Sequence, residues 1–422
     1  MPSEIKYAVQ QFEWPTTTGT FDVTIAGLGW TPKACKVTAL GSAVNGTVEA
    51  SVYAGVGFSD GTSQRSVAVN DLNGAASTDA VRVQDTSGVV FVGGSVARLD
   101  MLAGTAGPIA GGWKINCINT VGTGRKCIIE FFGGADLNAD VGTFIPASTG
   151  NTSKTGMSFQ PNLLMMAGIG SNPANGVLLA HPVLSFGYAY DGTSVEQGAL
   201  LIETGVDGAA AHKATAKLST TSIAAQIHDG AENWRGSITS FNSDGWTFSV
   251  DAGATGGADD IMYLALDIGD RKATVKEINA PTSAAADWTV AGIGFEPQGL
   301  SLIHSMMEAA DVDVLKTGQK AGYLSLSATD GTRQASHSCT VEDGAATSNT
   351  SRVSHARTAY MLDAADSALF DVGLPTFNSD GWTVAAADIS AAQATQRKWL
   401  AIAIEAEASG SAPIMASALR GA

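Results

Sequence analysis

Charge is scarce in this chain, and what there is has one sign. Lys, Arg, Asp and Glu make up 15% of 422 residues, with 24 basic against 40 acidic side chains and a formal net charge of −16. A basic face is the footprint of nucleic-acid binding, so direct nucleic-acid contact is excluded as an expectation. The same balance works against an anionic membrane surface. Cysteine is equally sparse. Cys35, Cys117, Cys127 and Cys339 form no CxxC pair, which leaves a zinc site without support. They read as reduced, buried thiols of a protein made in a cytoplasm. No apolar run reaches membrane-spanning length, and Met1–Lys6 lacks the basic-then-apolar pattern of a signal peptide. The six histidines, His181, His212, His228, His304, His337 and His355, form no HExxH motif and no pair three to five residues apart. No GxSxG elbow and no Walker loop occurs; Gly122–Lys126 lacks the glycine spacing and reads as a hairpin turn. The sequence therefore predicts no catalytic residue, no metal and no cofactor.

What the chain has is glycine (49 residues), a 45% hydrophobic content and a triple pattern. The first marker is Gly27-Leu28-Gly29-Trp30-Thr31-Pro32, then Gly156-Met157-Ser158-Phe159-Gln160-Pro161, then Gly292-Ile293-Gly294-Phe295-Glu296-Pro297. The second is an Asp-Gly-Thr turn at Asp60-Gly61-Thr62, Asp191-Gly192-Thr193 and Asp330-Gly331-Thr332. The third is worn in the first copy, at Gly112-Trp113-Lys114-Ile115. It is nearly identical in the others, at Phe241–Thr247 and Phe377–Thr383, each reading Phe-Asn-Ser-Asp-Gly-Trp-Thr. Three markers in one order at matching offsets mark an internal repeat. Units of about 130 residues suit the usual size of a domain.

Each unit reads as strands joined by tight turns. Asp-Gly favours such a turn, because Gly accepts positive φ and Asp caps the local backbone. Phe21–Ile25 alternates in character. Opening strands follow the first marker at Ala34–Ala39, Leu163–Ala167 and Leu300–His304, the second apolar throughout and so expected to be covered on both faces. Hairpin arms flank each Asp-Gly-Thr, and Lys126–Phe132, Met262–Ile268 and Trp399–Ile404 close the units. Helical periodicity is confined to Ser222–His228 and the C-terminal tail. The predicted fold is all-β: three tandem homologous antiparallel β-sandwich domains of jelly-roll-like type. The expected divisions are an N-terminal arm at 1–19, repeats at 20–140, 141–270 and 271–407, and a flexible C-terminal tail at 408–422.

The recurring Asp60, Gly61, Asp191, Gly192, Asp244, Gly245, Asp330, Gly331, Asp380 and Gly381 are read as structural turn residues. Each Asp precedes Gly, where backbone geometry selects it; paired glycosidase acids and calcium ligands are the weaker readings. Asp259-Asp260 and Asp311/Asp313 place carboxylates close together, with solvated loop charge the favoured account. Trp30/Phe159/Phe295 and Trp113/Trp246/Trp382 read as core rather than as sugar-stacking platforms. Non-recurring aromatics are freer to serve an interface. The candidates are Trp234-Arg235, a hot-spot pairing, and Tyr7, Phe12 and Trp14 of the arm, expected to order on a neighbouring subunit.

The order of Gly-Phe-x-Pro with an apolar strand, a DGT hairpin, F-x-SDG[FW]T and an apolar closing strand resembles a module of tailed-bacteriophage virion proteins of the tail, fibre and minor structural type. Gly294–Pro297 with Gly299–His304, Phe377–Val384 and Met262–Ile268 carry the resemblance, which runs from about Phe21 to Ile404; unit one departs at the third marker. It implies a β-sandwich in a particle and transfers no catalytic residue. The expectation is a non-enzymatic structural protein on the virion exterior (tail, baseplate, fibre or head decoration), assembled in the host cytoplasm. Its expected partners are other virion proteins, further copies of itself and a host-surface glycan. A carbohydrate-binding module or adhesin is the alternative. A polysaccharide depolymerase using Asp229 or Asp260 ranks third, since it needs an acid and a base in one cleft.

Overall fold

The computed structural model describes the chain except residues 1–2, 40–41, 75–79, 93–95, 103, 121–122, 171–176, 182, 205–213, 229, 252–259, 318–323, 343–349, 363–364 and 408–422. The expected C-terminal tail, Asp229, Asp259 and His212 lie outside the described residues. The rest is all-β, with antiparallel sheets and two single-turn 3₁₀ segments. Ser222–His228, where the sequence suggested a helix, holds the strand Ala224–His228, paired with Ala231–Asn242. Its apolar side chains pack into the sheet on both sides, which outweighs the local periodicity.

Three seven-stranded sheets repeat one strand order. In the first, a lead strand (Lys6–Trp14) pairs with a closing strand (Arg125–Gly133). That strand pairs with a central strand (Pro32–Ala39), followed by two hairpin arms (Val52–Ser59, Gln64–Asp71) and an outer strand (Ala80–Asp85). The second sheet has lead Asn138–Phe144, closing Ile261–Asp267, central Leu163–Gly168, arms Val183–Asp191 and Val195–Thr204, and outer Ala214–Ser219. The third has lead Ala273–Asn279, closing Arg397–Glu405, central Pro297–Glu308, arms Leu324–Thr329 and Gln334–Val341, and outer Thr350–His355. Leu163–Gly168 is buried along its whole length between two partners.

The seventh strand of every sheet is a guest. Leu179–Ala180 of the second lobe joins the first lobe's outer strand. Lys316–Thr317 of the third joins the second, and Glu49–Ala50 of the first joins the third. The exchange is cyclic and closes on itself. One face of all three large sheets meets in a common core, including Val9 and Phe58, Leu163 and Phe186, and Ile303 and Ile402. The other faces are covered by smaller sheets, with Trp113, Trp246 and Trp382 fully buried in three separate cores. Each such side chain contributes roughly 1.5–3 kcal/mol by leaving water.

The N-terminal segment is therefore no arm. Lys6–Trp14 pairs residue for residue with the closing strand, in the place that Asn138–Phe144 and Ala273–Asn279 take in the other lobes. Its markers were absent because the markers are turns and this is a strand. Tyr7, Phe12 and Trp14 are buried, since alternate side chains of this edge strand point into the cores on the two faces of the sheet. Trp234 is likewise buried, edge-on to Phe248. Arg235 is partly exposed and pairs with Glu232 at 3.4 Å. None of these aromatics lies on the free surface where an interface would meet it.

Candidate functional site

The markers are clasps. In the second and third lobes the Ser-Asp-Gly turn grips the first marker of its own lobe. The Asp380 carboxylate accepts from the Gly292 and Gly294 amides at 3.0 and 2.7 Å, and Asp244 accepts from Gly156 at 3.2 Å. These amides pull the Asp380 carboxyl below its ordinary range. Gly245 and Gly381 sit at φ 154° and 147°, where a Cβ would lie 1.9 and 2.0 Å from the Lys154 and Val290 carbonyl oxygens. Only Gly fits.

The Asp-Gly-Thr turns do two jobs, and sequence reasoning found one. Asp60 Oδ1 caps its own turn, accepting from the Thr62 and Ser63 amides at 2.8 and 2.6 Å. Its Oδ2 reaches the second lobe and accepts from the Val141 amide of the lead strand at 2.8 Å. Asp330 caps Thr332 and Arg333 and accepts from the Val9 amide of the first lobe at 3.1 Å. Val9 and Val141 hold equivalent positions, opposite Glu130 and Leu264 of their closing strands. Burial pushes the Asp330 carboxyl up, but bonds from Thr332, Val9 and Arg333 outweigh it and hold it low. Each turn is thus a latch between lobes.

Asp191 breaks the rule. Its hairpin carries one more strand pair, Asp191 with Val195, and Gly192 has no positive φ. The latch passes to Glu196, whose Oε2 accepts from Thr274 Oγ1 at 2.7 Å and from the Val275 amide at 2.9 Å. Val275 is the third equivalent lead-strand residue, opposite Ile402. The altered turn leaves an open cleft of ≈ 980 Å³ between the second and third lobes, lined among others by Tyr190, Asp191, Thr193, Gln197, Lys276 and Ile293.

The guest loops are also held by equivalent contacts. Gly46 and Asp313, both at positive φ, donate their amides to the Ser354 and Leu218 carbonyls of the neighbouring outer strands, each at 2.8 Å. Asp313 adds bonds from the Ser219 and Thr220 hydroxyls at 2.6 and 2.7 Å. The acidic pair Asp311/Asp313 is thereby absorbed, Asp311 pairing with Lys316 at 2.5 Å.

Where the three lobes meet, one polar cluster stands in the apolar core. Lys36 Nζ pairs with Glu130 of its own lobe, and donates to Tyr188 Oη of the second at 2.7 Å and Ser301 Oγ of the third at 3.0 Å. Tyr7 Oη donates to Glu130 Oε2 at 2.9 Å. Burial alone would lower the Lys36 ammonium; Glu130 and Tyr188 together outweigh it and hold the group above its ordinary value. Burial and the Glu130 charge push the Tyr7 phenol well up. The cluster is buried and its side chains engage one another, which suits a structural role better than proton transfer.

Elsewhere, the chemistry-bearing side chains are dispersed. Among the described residues no group of three His, Cys, Asp or Glu side chains is gathered to hold a metal. His304 and His337 are buried, and burial holds both near 3. Asp260 accepts from Gln84 Nε2 at 3.3 Å, and burial raises its carboxyl. All four cysteines are buried and free. No helix among the described residues is long and apolar enough to cross a membrane. No family model, no curated protein and no solved structure matches the chain.

Proposed function

We propose that this chain is a non-enzymatic structural protein on the exterior of a bacteriophage particle, acting through assembly with other virion proteins. The observation that supports this most is the cyclic closure: three lobes exchange guest strands and carboxylate latches around one core. Such a body is a three-fold block made from a single chain. It can meet a symmetric ring or a host surface with three related but chemically distinct faces. Its net charge of −16 and the resemblance of its turn grammar to virion modules favour the same reading, with host-cytoplasmic assembly and no direct nucleic-acid contact. Immunogold labelling of purified particles from the source lysate tests it. Gold at discrete exterior positions is the expected result; particles that carry no chain by labelling and mass spectrometry would remove the reading.

The alternative, a carbohydrate-binding module or adhesin, is favoured by the cleft between the second and third lobes and not by the recurring tryptophans, which are buried. Asp191 and Thr193 there offer the polar groups a sugar needs, beside Tyr190. Glycan-array binding that is lost in Asp191→Ala would support it, and a silent array would end it.

A further inference from the structure

The three junctions use interchangeable parts. Asp60 could latch any lead strand that offers the Val9, Val141 or Val275 amide, and each outer strand pairs its guest through backbone bonds. Backbone bonds carry no identity. Side chains such as Arg352 and Asp313 add some at the rim, but the backbone part of each junction would accept a lobe of another chain, the usual route to swapped oligomers.

The axial positions do carry identity. Strand register makes Lys36, Met165 and Ser301 equivalent, since they face Glu130, Leu264 and Ile402 on the closing strands. On the hairpin side they face Phe58, Tyr188 and Ala328. Seven of these nine side chains would be unremarkable in a core; the ammonium of Lys36 and the carboxylate of Glu130 are not. The ammonium has three donors, and they go to Glu130, Tyr188 and Ser301. Each acceptor comes from a different lobe. A second copy of the middle lobe in the third place would set Met165 against the ammonium and leave a buried donor unmet. Two first lobes would bring two ammonium groups together, and a ring without a first lobe would leave Tyr188 without its cation. The void beside the cluster is only ≈ 10 Å³, room for at most one water, so solvent could replace at most one of the three acceptors and could not separate two ammonium groups.

We propose that the Lys36–Glu130–Tyr7–Tyr188–Ser301 cluster is a lobe-identity lock, which admits one copy of each lobe to the axis and rejects rings that hold two copies of the same lobe. The reasoning is that of a single polar residue fixing register in an otherwise apolar assembly. This goes beyond the virion reading and does not depend on it, because it concerns how the chain folds on itself.

The test uses two full-length populations with different affinity tags. They are unfolded in urea, then either refolded together or refolded apart and mixed. Only co-refolding can exchange lobes, so the excess of double-tagged species after co-refolding measures swapping and is blind to ring-on-ring association. The wild type is expected to show only the excess that correctly composed swaps produce, which falls away on dilution. The variant Tyr7→Phe/Lys36→Met/Glu130→Leu gives the first lobe the second lobe's axial Met and Leu and removes the orphaned phenol. It is expected to fold with native tryptophan fluorescence and to raise the double-tagged fraction about tenfold or more, the scale set by one unmet buried polar group. Ser301→Ala, which deletes one acceptor and little volume, serves if the triple variant does not fold; a smaller rise in the same direction is expected. No excess in any folded variant, or an equal excess in the wild type, overturns the proposal.

Discussion

The junction of the third lobe with the first and the junction of the second with the third are built to one plan from different residues. At the third–first junction Asp330 latches the Val9 amide. The guest strand Glu49–Ala50 is clamped by buried Arg352, which donates to the Ala50 and Ser51 carbonyls, pairs with Glu49 and stacks over Tyr53. At the second–third junction Glu196 is the latch, Ala216 stands where Arg352 does, and Asp313 of the guest loop supplies the polar contacts instead. The first junction relies on a buried cation, the second on a carboxylate accepting from hydroxyls near the surface. What is kept is the set of backbone groups to be satisfied: one lead-strand amide and the ends of one guest strand. Which side chain does it is free to drift.

The largest way to break this comparison is acid. His304 and His337 are buried in the third lobe, where the first lobe has Ala39 and Val67 and the second has Gly168 and Leu200. His304 stacks on Trp399 at 4.4 Å, and neither of its ring nitrogens has a hydrogen-bond partner. Both rings are held near 3 by burial, against about 6.5 in an unfolded chain. The unfolded state therefore takes up protons first as pH falls. The stability due to these neutral rings is full above about pH 6.5 and drains between there and 3, at about 2 kcal/mol per ring by pH 5. Urea midpoints should fall steadily from pH 7 to pH 4.5, with Trp399 emission among the first signals to change. His304→Leu/His337→Val should flatten that slope, and an unchanged slope would show the rings are not responsible.

Next in size is the clamp. Arg352→Met leaves two guest-strand carbonyls without that donor and Glu49 with Arg125 as its remaining cation beside the Ala43 amide. A loss of about 3 kcal/mol is expected, the low end for a broken buried pair because one partner remains. No counterpart exists to break at the second–third junction. The surface-side substitute, Asp313→Ala, should cost about 1–2 kcal/mol by removing bonds that water can partly replace. Urea unfolding at pH 7 measures both, and equal losses would erase the distinction between the junctions.

Sequence reasoning reached the repeat, the turns and the all-β class because those rest on local physics. Asp-Gly-Thr and Ser-Asp-Gly specify backbone conformation within four residues, and apolar strands such as Leu163–Gly168 announce double-sided burial. It missed what depends on distant partners. Lys6–Trp14 alternates too weakly to declare itself a strand, and its aromatics looked like an arm seeking a partner because their partner, the closing strand, lies over a hundred residues away. The guest strands are two residues long, below any periodic signal. The latch role of Asp60 and Asp330 was hidden because the turn alone already explained the residue. Lys36 and Glu130 did leave a trace: a charged residue in the interior of each of two strands, matched by Met165 and Leu264 in the next repeat, asks for a buried pair.

The smaller effects separate the hairpins themselves. Asp60→Ala should cost about 1–2 kcal/mol, since one carboxylate serves both a turn and the Val141 amide, and Glu196→Ala should cost a similar amount. Asp191→Ala should cost almost nothing, because its latch has moved. Below these lies the glycine of the same turn. Gly331 holds φ 78° with Phe377 3.0 Å from where a Cβ would stand, so Gly331→Ala is expected to lose about 1 kcal/mol or slightly more. Gly192 has no positive φ, and its nearest neighbour to a Cβ is the Tyr190 ring at 3.3 Å. There the added methyl restricts the unfolded chain at little folded cost, so Gly192→Ala should be neutral or stabilise by a few tenths of a kcal/mol. Equal destabilisation by the two substitutions in thermal unfolding would mean that the second hairpin keeps the same turn as the third, and that its aspartate is still a latch.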